Sequence, residues 1–358
     1  MTFTVYNSEL PETSAFEKNI EGKHTYLFIL KNNNGVQAAI TNYGGCIVGL
    51  QVPDRTGKLI DVVEGLGSIE GCEAAKGSYY GSIIGRFGNR IANGRFTLDN
   101  KEYTLVTNDP PNTLHGGSPG FHEVVWDAKQ VNLTTLELKY LSKDMEGGFP
   151  GNLNVKVTYT LTEDNALKIN YEATTDKTTV LNLTSHPYFN LNGANSGSIL
   201  NHSVQIFADH ITPIDSDLIP TGILEPVAGT PFDFNQPAII GSRVNDDNQQ
   251  LNYGRGYDHN YVLNKHAYET PVAIAIGDKS GIEMSVFTDE PGMQFYCGNF
   301  MQGKNKMKNG NQDDFRTAFA METQHYPDSP NQSNFPSTVL KPGEVYKTTS
   351  EYKFSVVK

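Results

Sequence analysis

Val155-Lys156-Val157-Thr158-Tyr159-Thr160-Leu161-Thr162-Glu163-Asp164-Asn165-Ala166-Leu167-Lys168-Ile169-Asn170-Tyr171-Glu172-Ala173 is the stretch that decides the fold. Apolar Val155, Val157, Tyr159 and Leu161 alternate with Lys156, Thr158 and Thr160. After the polar break Glu163-Asp164-Asn165, Leu167, Ile169, Tyr171 and Ala173 alternate with Lys168, Asn170 and Glu172. A period of two predicts strands with one buried and one wetter face, here paired as a hairpin.

The same pattern spreads outward. Residues 124–173 read as strands throughout, and Ile282, Met284 and Val286 alternate after the turn Asp278-Lys279-Ser280-Gly281. Residues 26–50 predict strands turning at Asn32-Asn33-Asn34-Gly35 and ending in Gly44-Gly45. Asp99-Asn100 is a hairpin signal inside residues 96–105. Residues 67–76 predict a short helix with Ser68 as its N-cap, and residues 237–244 predict another. No long helical periodicity, fixed-period repeat, low-complexity segment or linker interrupts the chain. The expectation is therefore all-β: a single domain spanning residues 1–358, a large antiparallel β-sandwich with few short helices.

The 358 residues suffice for a large core. Only 19 % are charged, while glycine (34), tyrosine (18) and phenylalanine (18) are abundant, as turns and short strands require. A net charge of −12 excludes a phosphate backbone as partner and is compatible with a neutral polar ligand. Cys46, Cys72 and Cys297 are odd in number and far apart, so neither a disulfide framework nor a metal site is expected. The first nine residues show neither a basic nor an apolar leader segment, and no stretch approaches the ~20 apolar residues of a membrane helix. The chain reads as soluble and cytoplasmic.

Chemistry-bearing residues cluster in a few motifs. Asn182-Leu183-Thr184-Ser185-His186-Pro187-Tyr188-Phe189-Asn190-Leu191 holds a histidine between apolar anchors, as a fixed proton donor requires. In Gly85-Arg86-Phe87-Gly88-Asn89-Arg90-Ile91-Ala92, Arg86 reads as a structural tie between strands. His115 precedes Gly116-Gly117, where backbone can approach a ligand closely. Phe319 and Met321 on one side of a strand leave Glu322 facing the other way, into a cleft.

These motifs, together with Gly256-Tyr257-Asp258-His259-Asn260, Gln294-Phe295-Tyr296 and Glu322-Thr323-Gln324 followed by Pro327-Asp328, resemble the aldose 1-epimerase (galactose mutarotase) family. Six motifs in the family's order carry the likeness, from about Thr25 to the C-terminal strand. The resemblance implies a galactose mutarotase-like supersandwich with an open cleft on one sheet. It implies His186 as proton donor, Glu322 as proton acceptor, and Asn89, Arg90, His115, Tyr188, Asp258 and Gln294 around a small aldose sugar. It implies no cofactor and no metal, and a monomer or homodimer with neither nucleic acid nor membrane as partner. Ser185 stands where the family often has Asn and Ser333 where Pro is common; the first bears on how His186 is braced.

Anomer interconversion needs a proton to leave the C1 hydroxyl and another to reach the ring oxygen. Free carboxyl and imidazole groups titrate at roughly 4.3 and 6.5, so Glu is ionised at neutral pH and His mostly is not. The expectation is that the carboxylate holds His186 positive by attraction. The acid limb of a bell-shaped rate profile then belongs to Glu322 and the alkaline limb to His186. Two rivals are weighed against this: a non-catalytic sugar-binding module, and a glycoside hydrolase using Asp258 and Glu322 as its carboxylate pair.

Overall fold

The computed structural model describes residues 10–357. Residues 1–9, where a leader was sought, lie outside them. Strands dominate. The predicted hairpin forms with Leu161 opposite Leu167 and Val157 opposite Tyr171. Buried positions alternate along Leu153–Leu161, as the sequence period requires. The intervening turn closes through the Asn165 N–H donating to the Thr162 carbonyl at 3.2 Å, with Asn165 in the left-handed region.

This hairpin lies within a nine-stranded sheet. Its spatial order is Asp127–Asn132, Thr135–Ser142, Leu153–Leu161, Ala166–Thr175, Tyr346–Val356, Ile282–Thr288, Ala273–Ile276, Ser203–Ile206 and Ala238–Ile239. A five-stranded sheet runs Glu225–Pro226, His210–Thr212, Asp258–Val262, Gly292–Tyr296, Ala320–Gln324. A four-stranded sheet runs Leu27–Lys31, Gln37–Thr41, Ile47–Pro53, Leu59–Asp61. Neighbouring strands in all three are antiparallel. Tyr159 and Ile169 of the first sheet, Phe295 and Met321 of the second and Ile40 and Leu50 of the third share one fully buried apolar cluster. Sheets that bury apolar faces against one another in this way make a sandwich, and each such side chain contributes about 1.5–3 kcal/mol.

Asp99 and Asn100, both at positive φ, turn Arg95–Leu98 back onto Lys101–Thr104. Positive φ at two adjacent positions matches the twist a two-residue hairpin loop needs. Helix Ile69–Ala74 begins where expected, with Ser68 Oγ accepting from the Gly71 N–H at 3.2 Å. Ser68→Ala should cost about 1 kcal/mol of stability, read as a lowered midpoint in thermal denaturation.

The helix expected over residues 237–244 does not form. Ala238–Ile239 instead pairs with Ser203–Ile206 as an edge strand, leaving only a 3-10 turn at Ile240–Ser242. Cross-strand pairing outweighs weak local preference there. The other α-helix among the described residues is Gln249–Gly254, capped by Asn248, whose side chain accepts from the Gln250 and Leu251 N–H groups.

Candidate active site

The site is built on the five-stranded sheet. Along Asp258–Val262, Gly292–Tyr296 and Ala320–Gln324, alternate residues point to opposite faces. One face sends Tyr261, Met293, Phe295 and Met321 into the apolar core. The other carries polar side chains: Asp258 pairs with Tyr296, and Gln294 with Glu322. Over this second face lies a cleft of 520 Å³, with Asp258, Tyr296 and Glu322 in its wall.

Loops from elsewhere in the chain complete the wall. His186 is fixed by its own backbone, its N–H donating to the Ser82 carbonyl and its carbonyl accepting from the Gly81 N–H. Buried Leu181, Leu183, Phe189 and Leu191 anchor the flanks. The Tyr188 ring stacks on the imidazole with centroids 4.7 Å apart and planes at 23°, while its hydroxyl donates to the Ser78 carbonyl at 3.0 Å. Ser185 does not brace the imidazole; its hydroxyl lies toward the Tyr171 and Tyr352 phenols.

His186 Nε2 and Glu322 Oε1 are 3.3 Å apart. Both residues are almost wholly buried, at 4 % and 2 % exposure, yet both line the cleft. Two groups this close can both reach the oxygens carried by one carbon. Burial disfavours both charged forms. It pushes the His186 imidazole down to about 4. It pushes Glu322 well above the usual carboxylate range, helped by the nearby Asp258 and opposed by Arg90. Burial thus works against the expected standing ion pair, lowering the imidazole and raising the carboxyl toward a pair of neutral groups.

His115 sits edge-on to His186, ring centroids 5.4 Å apart. Its Nδ1 accepts the Asn89 backbone N–H at 3.1 Å. A nitrogen that accepts cannot carry the proton, so neutral His115 holds it on Nε2. Burial, then the neighbouring His186 and Arg90, depress its pKa well below the usual value. His115 is therefore a fixed neutral donor. His115, His186 and Glu322 lie close enough together to suggest a cation site. The tautomer argues against that reading, because a metal ligand must present a bare nitrogen lone pair.

Arg90 reaches the cleft with its Nε donating to Asp109 Oδ2 at 2.8 Å. Asp109 is substantially exposed, so this pair is worth less than ~1 kcal/mol. Asp109→Asn should accordingly raise KM only two- to five-fold, roughly, and leave kcat unchanged in steady-state assays. Asp258 also lines the cleft and accepts from Gln294 Nε2 at 2.7 Å.

The aldose 1-epimerase family model matches residues 26–353. The chain belongs to the aldose 1-epimerase family. Galactose mutarotases of Rattus norvegicus and Homo sapiens are 44 % and 43 % identical over 317 residues, covering 88 % of this chain and 90 % of each relative. The aldose 1-epimerase of Escherichia coli (strain K12) is 36 % identical over 337 residues, covering 93 % and 96 %. A solved aldose epimerase homologue from C. elegans superposes with a TM-score of 0.86 at 30 % identity, covering 93 % of this chain and all of that one. A galactose 1-epimerase structure from Lactobacillus acidophilus gives 0.83 at 27 %, covering 95 % and 97 %.

Of the residues that the family resemblance marks, His186, Glu322, Asn89, Arg90, His115, Tyr188 and Asp258 all line the one cleft. Gln294, on the same sheet face, is not among the lining residues; its amide donates to Asp258 Oδ1 at 2.7 Å. Arg86 is structural as read: its guanidinium donates to Ser142 Oγ and to the carbonyls of Ser142, Lys143, Phe149 and Pro150. Sequence reasoning missed Tyr79, whose ring meets His115 at 4.5 Å and His186 at 6.3 Å. It also missed Tyr296 in the wall, although period two from Gln294 places it on the cleft face. The wall contributed by residues 301–313 is tied down by Lys308, whose Nζ is 2.6 Å from Asp61 Oδ2 and donates to the Val48 and Val63 carbonyls. Among the described residues no helix is long and apolar enough to cross a membrane.

Proposed function

We propose that this cleft interconverts the α and β anomers of free aldoses such as glucose and galactose, with Glu322 as base on the C1 hydroxyl and His186 as acid on the ring oxygen. Family membership makes the chain an isomerase. The observation that carries the residue roles is the 3.3 Å approach of His186 Nε2 to Glu322 Oε1 in the wall of a sugar-sized cleft.

Glu322 takes the hydroxyl proton as the C1–O5 bond breaks, and His186 delivers one to O5. The open aldehyde turns about C1–C2, and the reverse transfers close the other anomer. Each turnover returns both protons to where they began, so the reaction is balanced without redox chemistry. The His115 Nε2–H and the Arg90 guanidinium donate to sugar oxygens, Asn89 and Asp258 bond hydroxyls, and the Tyr188 and Tyr296 rings offer apolar faces. Gln294 holds Asp258 in place. The three buried, unpaired thiols Cys46, Cys72 and Cys297 fit a cytoplasmic enzyme, acting as monomer or homodimer.

Polarimetry on freshly dissolved α-glucose and α-galactose tests the reading. A mutarotase speeds the drift to the equilibrium rotation and releases no new sugar. A hydrolase would release one from a glycoside, and a binding module would leave the drift at its spontaneous rate; either result overturns the proposal.

A further inference from the structure

On the cleft face of the five-stranded sheet, Thr212 stands opposite Asn260, Asn260 opposite Gln294, and Gln294 opposite Glu322. Directly opposed residues on adjacent strands have their Cβ atoms ~5 Å apart, so these side chains lie next to one another along the row. The row continues sideways to Gln324, two residues on from Glu322 and opposite Gly292. All five polar residues are buried, none more than 4 % exposed. Thr212 Oγ1, both amide atoms of Asn260, Gln294 Oε1, Glu322 Oε2 and both amide atoms of Gln324 have no hydrogen-bond partner among the described residues. Gly292, the first residue of its strand, leaves space that Asn260 leans across: a Cβ there would meet Asn260 Oδ1 at 2.7 Å and the Tyr326 ring at 2.8 Å.

Buried polar atoms are nearly always paired, with protein or with ordered water. Seven of them in one connected row, one on the proposed catalytic carboxylate, are a functional arrangement rather than a packing accident. We propose that Asn260, Gln324 and Thr212, with Gln294 and the ordered water such a row binds, form a polar shelf that donates hydrogen bonds to Glu322 Oε2 and readies the carboxylate to act as a base. Asn260 and Gln324 are thus positioning residues that act through Glu322 without touching the sugar. The inference rests on Glu322 being the base. Hydrogen bonds to the ionised form favour it, so the shelf works against the burial, and against the neighbouring Asp258, that hold the proton on. Arg90 works with the shelf. The other titratable groups facing Glu322 are His186 and His115, and the phenols Tyr188, Tyr296 and Tyr352.

The test replaces the amides by apolar side chains of similar shape, Asn260→Leu and Gln324→Met, on two different strands. In each, kcat for mutarotation should fall about tenfold and the alkaline limb of the pH–rate profile should rise by about one unit. KM should stay within about two-fold. Asn260→Ser, which keeps a hydroxyl and room for water, should recover most of the rate. The Glu322 carboxyl band, followed by infrared difference spectroscopy against Glu322→Gln, should titrate higher in both variants. That readout needs no turnover, so it separates failure of the shelf from failure of the catalytic assignment. Unshifted carboxyl titration in folded Gln324→Met or Asn260→Leu overturns the proposal, even if the rate drops. Should Glu322→Gln turn over normally, the base assignment falls, and the proposal with it.

Discussion

Glu322→Gln and His186→Asn should each slow mutarotation by on the order of 10²–10⁴-fold, the usual contribution of a positioned acid or base, while sugar binding survives. The reasoning is geometric first. The two groups meet at 3.3 Å in the cleft wall, and neither has a nearby understudy. His115 is tied to its Nε2–H tautomer by the Asn89 N–H and cannot take His186's place as a proton shuttle. Asp258 is engaged by Gln294 and stands one strand further from Glu322, beyond the strand Gly292–Tyr296.

Because acid and base act on one bond, the double variant should cost little more than either single one. Fold loss would not explain the result. Gln has the shape of Glu, and a carboxyl whose pKa is raised in the folded protein destabilises it above the carboxyl's unfolded value. Glu322→Gln should therefore melt at the same temperature as the parent at pH 7, or higher. Polarimetry gives the rate, and isothermal titration with galactose gives the affinity. Near-full activity in either single variant would remove its assigned role.

Much of this was legible in the chain. The period of two over Leu153–Leu161 and Ala166–Thr175 fixes strand type and buried face, because local alternation is all that a half-buried strand needs. Phe319 and Met321 likewise place Glu322 on the face opposite the core. Arg86 was readable as structural because glycine-flanked planar donors suit tying backbone carbonyls. What was hidden is non-local. Nothing near residues 258, 294 and 322 announces that their strands are neighbours; that adjacency comes from register across long connections. Hence neither the hydrogen bond from Gln294 to Asp258 nor the row through Asn260 is readable from the sequence. The charge state was hidden for another reason. The family resemblance pairs His186 with a carboxylate, but it does not show that both sit where water is scarce.

That charge state sets the second large effect, the dependence of rate on pH. The pair works when it holds one proton, whichever group carries it at rest. On the acid side a second proton must enter, and the group that takes it is His186, depressed by burial to about 4. Below that value Glu322 is protonated too, so the base is blocked. On the alkaline side the last proton leaves from Glu322, held well above the usual carboxylate range by burial and by Asp258. Above that limb no proton remains to deliver to the ring oxygen. The profile should thus be a bell falling about tenfold per pH unit outside each limb. The limbs are the reverse of those that a free carboxyl and a free imidazole in water would give. The working form, carboxylate beside imidazolium, is reached from the neutral pair by one proton transfer across the 3.3 Å contact. Nitrogen-15 NMR of the His186 ring distinguishes the two assignments. If the resting pair is neutral, the imidazole is uncharged at pH 6, and Glu322→Gln leaves its titration in place, one neutral neighbour replacing another. If instead the ring is cationic at pH 6, and loses that charge when the carboxylate is removed, the standing ion pair is restored and the burial argument fails.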